Sequence, residues 1–388
     1  MSPHSTRRLV RQYVATKQGG PFQIIQVEYP TPGPDEICIR NRAVALNPLD
    51  IKSLDHGMMV RKWPEVFGID AAGVVEAVGD RVTDFKAGDA VMSLAGFGGQ
   101  SGAFQDVTVV PAHFAAKKPS AWTFEEAASV PLIYLTASAA ILKGLSVRLP
   151  FIQDPPKDLL GGPDGISHID QPAAQLPKSV LVLGGSSGIG SSTLQLLRVA
   201  LGPGVTLLST NSPANNAHCL KLGANTCIDR SYEMDKLIAA IKDASPGKQG
   251  VDAIIDAVGA LSPNPAGPPV DANNNNKDGF KIFETLNKDG PKLFSQVMTS
   301  PHSASLANQI PAEMGIKVAQ PVFGRMTFEV VPGGMRAMSR LAELVDGGGG
   351  KFKLPLNVEV VGKGLESIGA GLEKLRGGVS ATKLVVSL

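Results

Sequence analysis

Cysteine is scarce in this chain: Cys38, Cys219 and Cys227 are the only three in 388 residues. They are odd in number and far apart, so they offer neither a disulfide framework nor a C-x-x-C zinc pair. This points to a reducing, cytoplasmic setting in which each thiol is a small core residue. An excess of one charge is also missing. The 37 basic and 35 acidic residues leave a formal net charge of +2, with no long basic run. That argues against nucleic acid or an anionic membrane surface as a partner. No apolar stretch approaches the ~20 residues needed to span a bilayer. The opening MSPHSTRRLVRQY is basic without an apolar core and reads as a short disordered lead rather than a targeting peptide.

What is present divides the chain. Its 388 residues exceed what one core of roughly 250–300 residues supports, so two domains are expected. From about residue 8 to 120, short apolar runs such as Phe22–Val27, Ile37–Ile39 and Val107–Val110 alternate with Gly and Pro turns, predicting a compact antiparallel β unit. Thr123 then offers a helix N-cap with Glu125 and Glu126 in the first turn, opening an apolar helical stretch to about Lys143. Pro150–Pro177 and Leu261–Gly279 are rich in Pro, Gly, Asp or Asn and read as insertions. Further strands are expected near Lys292–Thr299, Ile316–Phe323 and Lys383–Leu388, and a helix near Gly333–Val345.

Between the insertions the pattern is βαβαβ, which predicts a parallel sheet with right-handed crossovers. It begins with SVLVLGGSSGIG, Ser179 to Gly190. The apolar run is a strand buried on both faces, and Leu194, Leu197 and Leu201 mark the helix that follows. A glycine turn there aims backbone N–H groups at an anion. Gly184 and Gly185 allow the tight turn, Gly188 lets a pyrophosphate approach, and Gly190 lets the helix lie close to the sheet. Gly185, Ser186, Ser187, Gly188 and Ile189 are therefore candidate dinucleotide contacts. Dinucleotide sites selective for NAD usually carry an acid about 20 residues after such a turn. Here Ser209, Thr210, Asn211 and Ser212 are all neutral, which favours NADPH.

With these motifs in this order, the chain resembles the medium-chain dehydrogenases/reductases, in particular their zinc-free quinone oxidoreductase and enoyl reductase branch. The landmarks are NPLD at Asn47–Asp50, GIDAAGVVEAVGDRV at Gly68–Val82, FKAGDAV at Phe85–Val91, EEAASVPLIYLTA at Glu125–Ala137, the glycine turn, KLGA at Lys221–Ala224 and DAVG at Asp256–Gly259. The resemblance implies an α/β protein with a GroES-like β-rich catalytic domain and a Rossmann doubly wound parallel-sheet cofactor domain. The expected boundaries are 1–138, 139–325, and a return to the catalytic domain over 326–388, with the active cleft between the two domains. Zinc relatives place a cysteine where Asn47 stands and a GHE motif where Gly68-Ile69-Asp70 stands. One acid does not make a zinc site, so no metal is expected.

The resemblance also implies roles. Asn47, Lys52 and Thr136 are the candidate catalytic residues. Lys52 stands where enoyl reductases of the family can carry lysine and quinone reductases often carry tyrosine. Thr136 matches a threonine that faces the nicotinamide, and Tyr134 is a further candidate for the cleft wall. Arg230 stands where relatives put a phosphate-contacting tyrosine and Asn215 where they often carry lysine, so one expected charge is missing; Val258 and Phe323 border the cofactor. Local readings stand beside these: Asn47 as a turn residue, Lys52 as a solvated strand end, Asp50 as a structural acceptor, Thr136 bonded back to its own helix. The expected activity is NADPH-dependent, metal-independent hydride transfer to an activated C=C. The expected acceptor is an enoyl thioester of a polyketide-type pathway, delivered by a synthase partner. Alternatives are a quinone oxidoreductase and a non-catalytic NADPH sensor. Either a monomer or a homodimer is compatible. The GGSSGIG turn also fits short-chain dehydrogenases, but Tyr232 and Lys236 lie too soon after it to be that family's catalytic pair.

Overall fold

The computed structural model describes residues 8–96, 98–149, 176–259, 280–297, 310, 312–318, 337–346 and 350–388. Residues 1–7 of the N-terminal lead, the Leu261–Gly279 insertion, nearly all of Pro150–Pro177 and the candidate Phe323 lie outside the described residues, whereas Leu9–Tyr13 of that lead belong to the first strand rather than to a disordered lead. Strands β1 (Leu9–Ala15), β2 (Phe22–Glu28) and β3 (Glu36–Ala45) precede helix α1 (Pro48–His56). Then come β4 (Glu65–Val66), β5 (Asp70–Val78), β6 (Ala90–Leu94), β7 (Val107–Pro111) and β8 (Ala115–Lys117), followed by α2 (Phe124–Ala128) and α3 (Pro131–Ala139). An alternating stretch follows: β9 (Ser179–Leu183), α4 (Gly188–Leu201), β10 (Thr206–Asn211), α5 (Asn216–Lys221), β11 (Thr226–Asp229), α6 (Met234–Ala244) and β12 (Ala253–Asp256). After it come β13 (Leu293–Gln296), β14 (Lys317–Val318), α7 (Ala337–Asp346), β15 (Asn357–Lys363), α8 (Ser367–Arg376) and β16 (Thr382–Ser387).

Two units emerge. One comprises Met1–Leu132, Met338–Gly350 and Leu356–Leu388; the other comprises Ile133–Ala337 and Lys351–Pro355. In the first, β3 is flanked by β5 and β16, all antiparallel, in a sheet ordered β15-β16-β3-β5-β6-β8, and β7 also pairs with β3. Successive residues of a strand serve opposite faces. Thus Ile37 and Ile39 join a large core with Val44, Leu46, Phe104, Leu384 and Val386, while Cys38 between them packs with Val10, Val107 and Val109.

The second unit holds a six-stranded sheet of order β11-β10-β9-β12-β13-β14, parallel throughout. All five residues of β9 are buried, as a strand covered on both faces requires. Leu181, Leu183, Leu208, Ile254 and Phe294 pack with Leu237 and Ile241 of α6. The strand order reverses beside β9, between β10 and β12. This is the switch point at which open α/β sheets bind ligands.

Three local expectations change. The stretch from Thr123 is not one helix. Thr123 caps α2, its hydroxyl accepting from Glu126 N–H, but α2 ends at Ser129 and Pro131 opens α3. The NPLDIK segment is a helix, α1, rather than a strand end. Finally, Phe124–Gly144 is by length and composition apolar enough to cross a membrane, yet 89% of it is buried within the protein. It is core, not a span.

Candidate active site

In the second unit the candidate residues are backbone groups and neutral side chains around the glycine turn. Ser187 caps α4, its hydroxyl accepting from Gly190 N–H at 3.0 Å, so the first turn of α4 points its remaining N–H groups outward past Ser186, Gly188 and Ile189. The turn has no room for side chains at two points. A Cβ on Gly185 would lie 2.0 Å from Ser209 Oγ, and one on Gly190 would lie 2.2 Å from the Gly184 carbonyl. Beneath it, the Ser191 hydroxyl donates to the Gly185 carbonyl at 3.0 Å.

The end of β10 is tied to this turn. Gly184 N–H and Gly185 N–H both reach the Thr210 carbonyl at 3.1 Å, and the Thr210 hydroxyl accepts from Gly184 N–H at 3.1 Å. Asn211 is buried and committed inward: it accepts from the Ser209 hydroxyl and donates to the Ser212 carbonyl and the Asn216 side chain. Asn215 Nδ2 donates to Ser186 Oγ at 3.2 Å, bringing the start of α5 onto the glycine turn. Arg230 is exposed, and its backbone N–H reaches the Asn211 carbonyl at 3.1 Å. The neighbouring Asp229 carboxylate is bonded by Ser231 N–H and hydroxyl at 2.9 and 2.8 Å, which holds it charged below its usual range. Val258 is exposed and packs over Gly184. Thr136, on α3, is 6% exposed. Tyr134 is fully buried, edge-on to Phe352 at 5.4 Å. That core packing, rather than a cleft wall, is its place.

In the first unit the candidate residues gather around buried charge. Asn47 is the N-cap of α1, with Pro48 in the first turn. Asp50 reaches back, one carboxylate oxygen accepting from Asn47 N–H at 2.8 Å and the other from Gly68 N–H at 3.1 Å. Asn47 Nδ2 donates to Asp70 Oδ2 at 3.0 Å, and Asp70 Oδ1 accepts from Leu132 N–H at 2.7 Å. From β16, the Lys383 ammonium donates to Asn47 Oδ1 and, at 3.0 Å, to Asp70 Oδ2. Asn47, Asp50, Asp70 and Lys383 are each 5% exposed or less. Burial pushes the Asp50 carboxyl up to about 7. Lys52, further along α1, is half-buried, and that burial lowers its ammonium below the ordinary lysine range.

Comparison with known proteins fits this geometry. Residues 33–120 match the alcohol dehydrogenase GroES-like domain. The dehydrogenase orsE of Emericella nidulans is 31% identical over 383 residues, spanning 96% of this chain and 97% of its own. The chain belongs to the medium-chain dehydrogenase/reductase family. The trans-enoyl reductase tndF of Aspergillus flavipes is 28% identical over 386 residues, covering 97% of this chain and 98% of its own. Among solved structures, the CurK enoyl reductase superposes with a TM-score of 0.69 at 19% identity, over 97% of this chain and 99% of that one.

As a member of this family the protein is an oxidoreductase that uses a nicotinamide cofactor. The glycine turn fits that group: it combines first-turn N–H groups without intrahelical partners, a Ser187 cap and two glycines that let strand, turn and helix pack closely. The Lys383 ammonium lies against both Asn47 and Asp70. Among the described residues no group of three or more His, Cys, Asp or Glu side chains could hold a metal. Lys383 is a buried charged residue that sequence reasoning did not single out. Its one signal is a lysine inside the otherwise apolar strand TKLVVS.

Proposed function

We propose that the protein is an NADPH-dependent, metal-independent reductase of activated C=C bonds, acting on an enoyl thioester. The observation that carries this reading is Lys52, held half-buried on α1 with its ammonium made more acidic by burial. A lysine of lowered pKa gives up a proton more readily near neutral pH. The full-length likeness to proteins named trans-enoyl reductases supports the substrate class. It also supports a polyketide-type pathway in which a synthase carrier domain presents the acyl chain.

When bound, the nicotinamide supplies hydride to the β-carbon of the acceptor. The electron pair of the C=C then moves onto the thioester oxygen as an enolate. The Lys52 ammonium stabilises that charge and delivers a proton to the α-carbon, and solvent reprotonates the amine. Thr136 would face the nicotinamide, and the α4 N-terminus with Ser186, Ser187, Gly188 and Ile189 would hold the pyrophosphate. Two features support NADPH over NADH: the neutral end of β10 and exposed Arg230 as a bidentate partner for a 2′-phosphate.

The test is a panel assay. NADPH and NADH are titrated by fluorescence, then quinones, simple enones and an enoyl thioester are added while reduced-nicotinamide absorbance is followed. NADPH preference with thioester turnover is expected. Turnover of quinones alone would move the enzyme to the quinone oxidoreductase side. Tight NADPH binding with no acceptor consumed would favour a sensor.

A further inference from the structure

The Lys383 network is larger than a fold anchor requires. Asn47 already has a backbone partner for its cap position, since its carbonyl accepts from Asp50 N–H at 3.0 Å. Its side chain is drawn away from the helix instead. The amide nitrogen goes to Asp70 and the amide oxygen to Lys383. These partners arrive on strands that flank β3. Asp70 opens β5, paired opposite Ala45, and β16 pairs with β3 through Val385 opposite Ala45. The Leu46 N–H to Leu384 carbonyl bond at 2.9 Å then places Lys383 beside Asn47. A cation from the last strand thus grips the first residue of α1 by its side chain, while Asp50 grips it by its backbone.

We infer that Lys383 is a positioning residue: through Asn47 and Asp70 it fixes the N-terminus of α1 and thereby where the Lys52 ammonium stands. This rests on the proposed role of Lys52 as proton donor. The physical argument is one of stiffness and charge. The turn from Asn47 to Lys52 is short, so small movements of the cap move Lys52 in or out of its half-buried place. A displacement of about 1 Å at a reacting group costs on the order of 100-fold in rate. Lys383 also balances Asp70, which would otherwise be a lone buried anion next to the cap.

The test compares the wild type with Lys383→Met and Lys383→Arg in the full-length protein. Two readouts are taken: steady-state kinetics with an enoyl thioester, and competitive acetylation of Lys52 across pH, followed by mass spectrometry. In Lys383→Met, kcat is expected to fall roughly 10- to 100-fold with NADPH affinity unchanged. The Lys52 labelling midpoint is expected to rise toward that of an ordinary lysine as the side chain leaves its half-buried place. Lys383→Arg should recover part of both. A folded Lys383→Met with the wild-type Lys52 labelling midpoint overturns the inference, whatever its kcat. If Lys383→Met does not fold, Asn47→Ala cuts the same link while keeping the Lys383–Asp70 ion pair, and the same labelling shift is required of it. A wild type that turns over no acceptor defeats the reductase reading alone, because the labelling readout still decides whether Lys383 positions Lys52.

Discussion

The two units prepare for chemistry by opposite means. In the nucleotide-binding unit the work falls on backbone shape. A capped helix N-terminus, two glycines without room for a Cβ and a strand end of neutral side chains make up the turn. In the GroES-like unit it falls on buried charge, with one ammonium and two carboxylates around an amide, all nearly inaccessible. The first arrangement is local and tolerant of pH. The second joins residues 313 positions apart in sequence and includes a carboxyl that titrates near neutrality. A fixed anion-binding surface needs only backbone dipoles, whereas a proton donor needs an environment that sets its charge.

The contrast is open to mutation. Lys383→Met leaves Asp70 buried without its cation. Removing one partner of a buried pair typically destabilises by about 3–5 kcal/mol, and urea unfolding should report a loss of that size. Gly190→Ala drives a Cβ against the Gly184 carbonyl, a backbone atom that cannot rotate away. We expect a loss of about 1–3 kcal/mol from overpacking, and NADPH binding by fluorescence should be lost because α4 is lifted from the turn. Arg230→Ala should weaken NADPH about tenfold, or ~1.4 kcal/mol, and leave NADH unaffected. Equal weakening of both nucleotides would remove Arg230 from the 2′-phosphate. A further effect is on pH dependence. Asp50 holds its proton more tightly folded than unfolded, so its contribution is full below about pH 4 and is lost as pH rises through about 7. Melting temperature should decline over that window by more in the wild type than in Asp50→Asn.

The same contrast explains what could be read from the sequence. Strand β9 was legible, because a mostly apolar run before a glycine turn is a local signal. The glycine turn was legible because its conformational demands fall on adjacent residues. Helix α1 was not, since Pro48 and Asp50 suit a turn as well as a first helical turn. Lys383 escaped because its meaning depends on Asn47 and Asp70, which only the pairing of β16, β3 and β5 brings to it. Asp50 was read as a structural acceptor, and it does accept two backbone N–H groups, but its burial beside a second carboxylate is a tertiary fact.

The central claim is that Lys52 supplies the proton in a reaction driven by a nicotinamide hydride. The most direct measurement is single-turnover oxidation of bound NADPH by an enoyl thioester in wild type and Lys52→Ala, with NADPH affinity measured in parallel. The account predicts a rate at least ~100-fold lower in Lys52→Ala, in keeping with loss of a general acid, and unchanged nucleotide affinity. An undiminished rate with normal NADPH binding would contradict it.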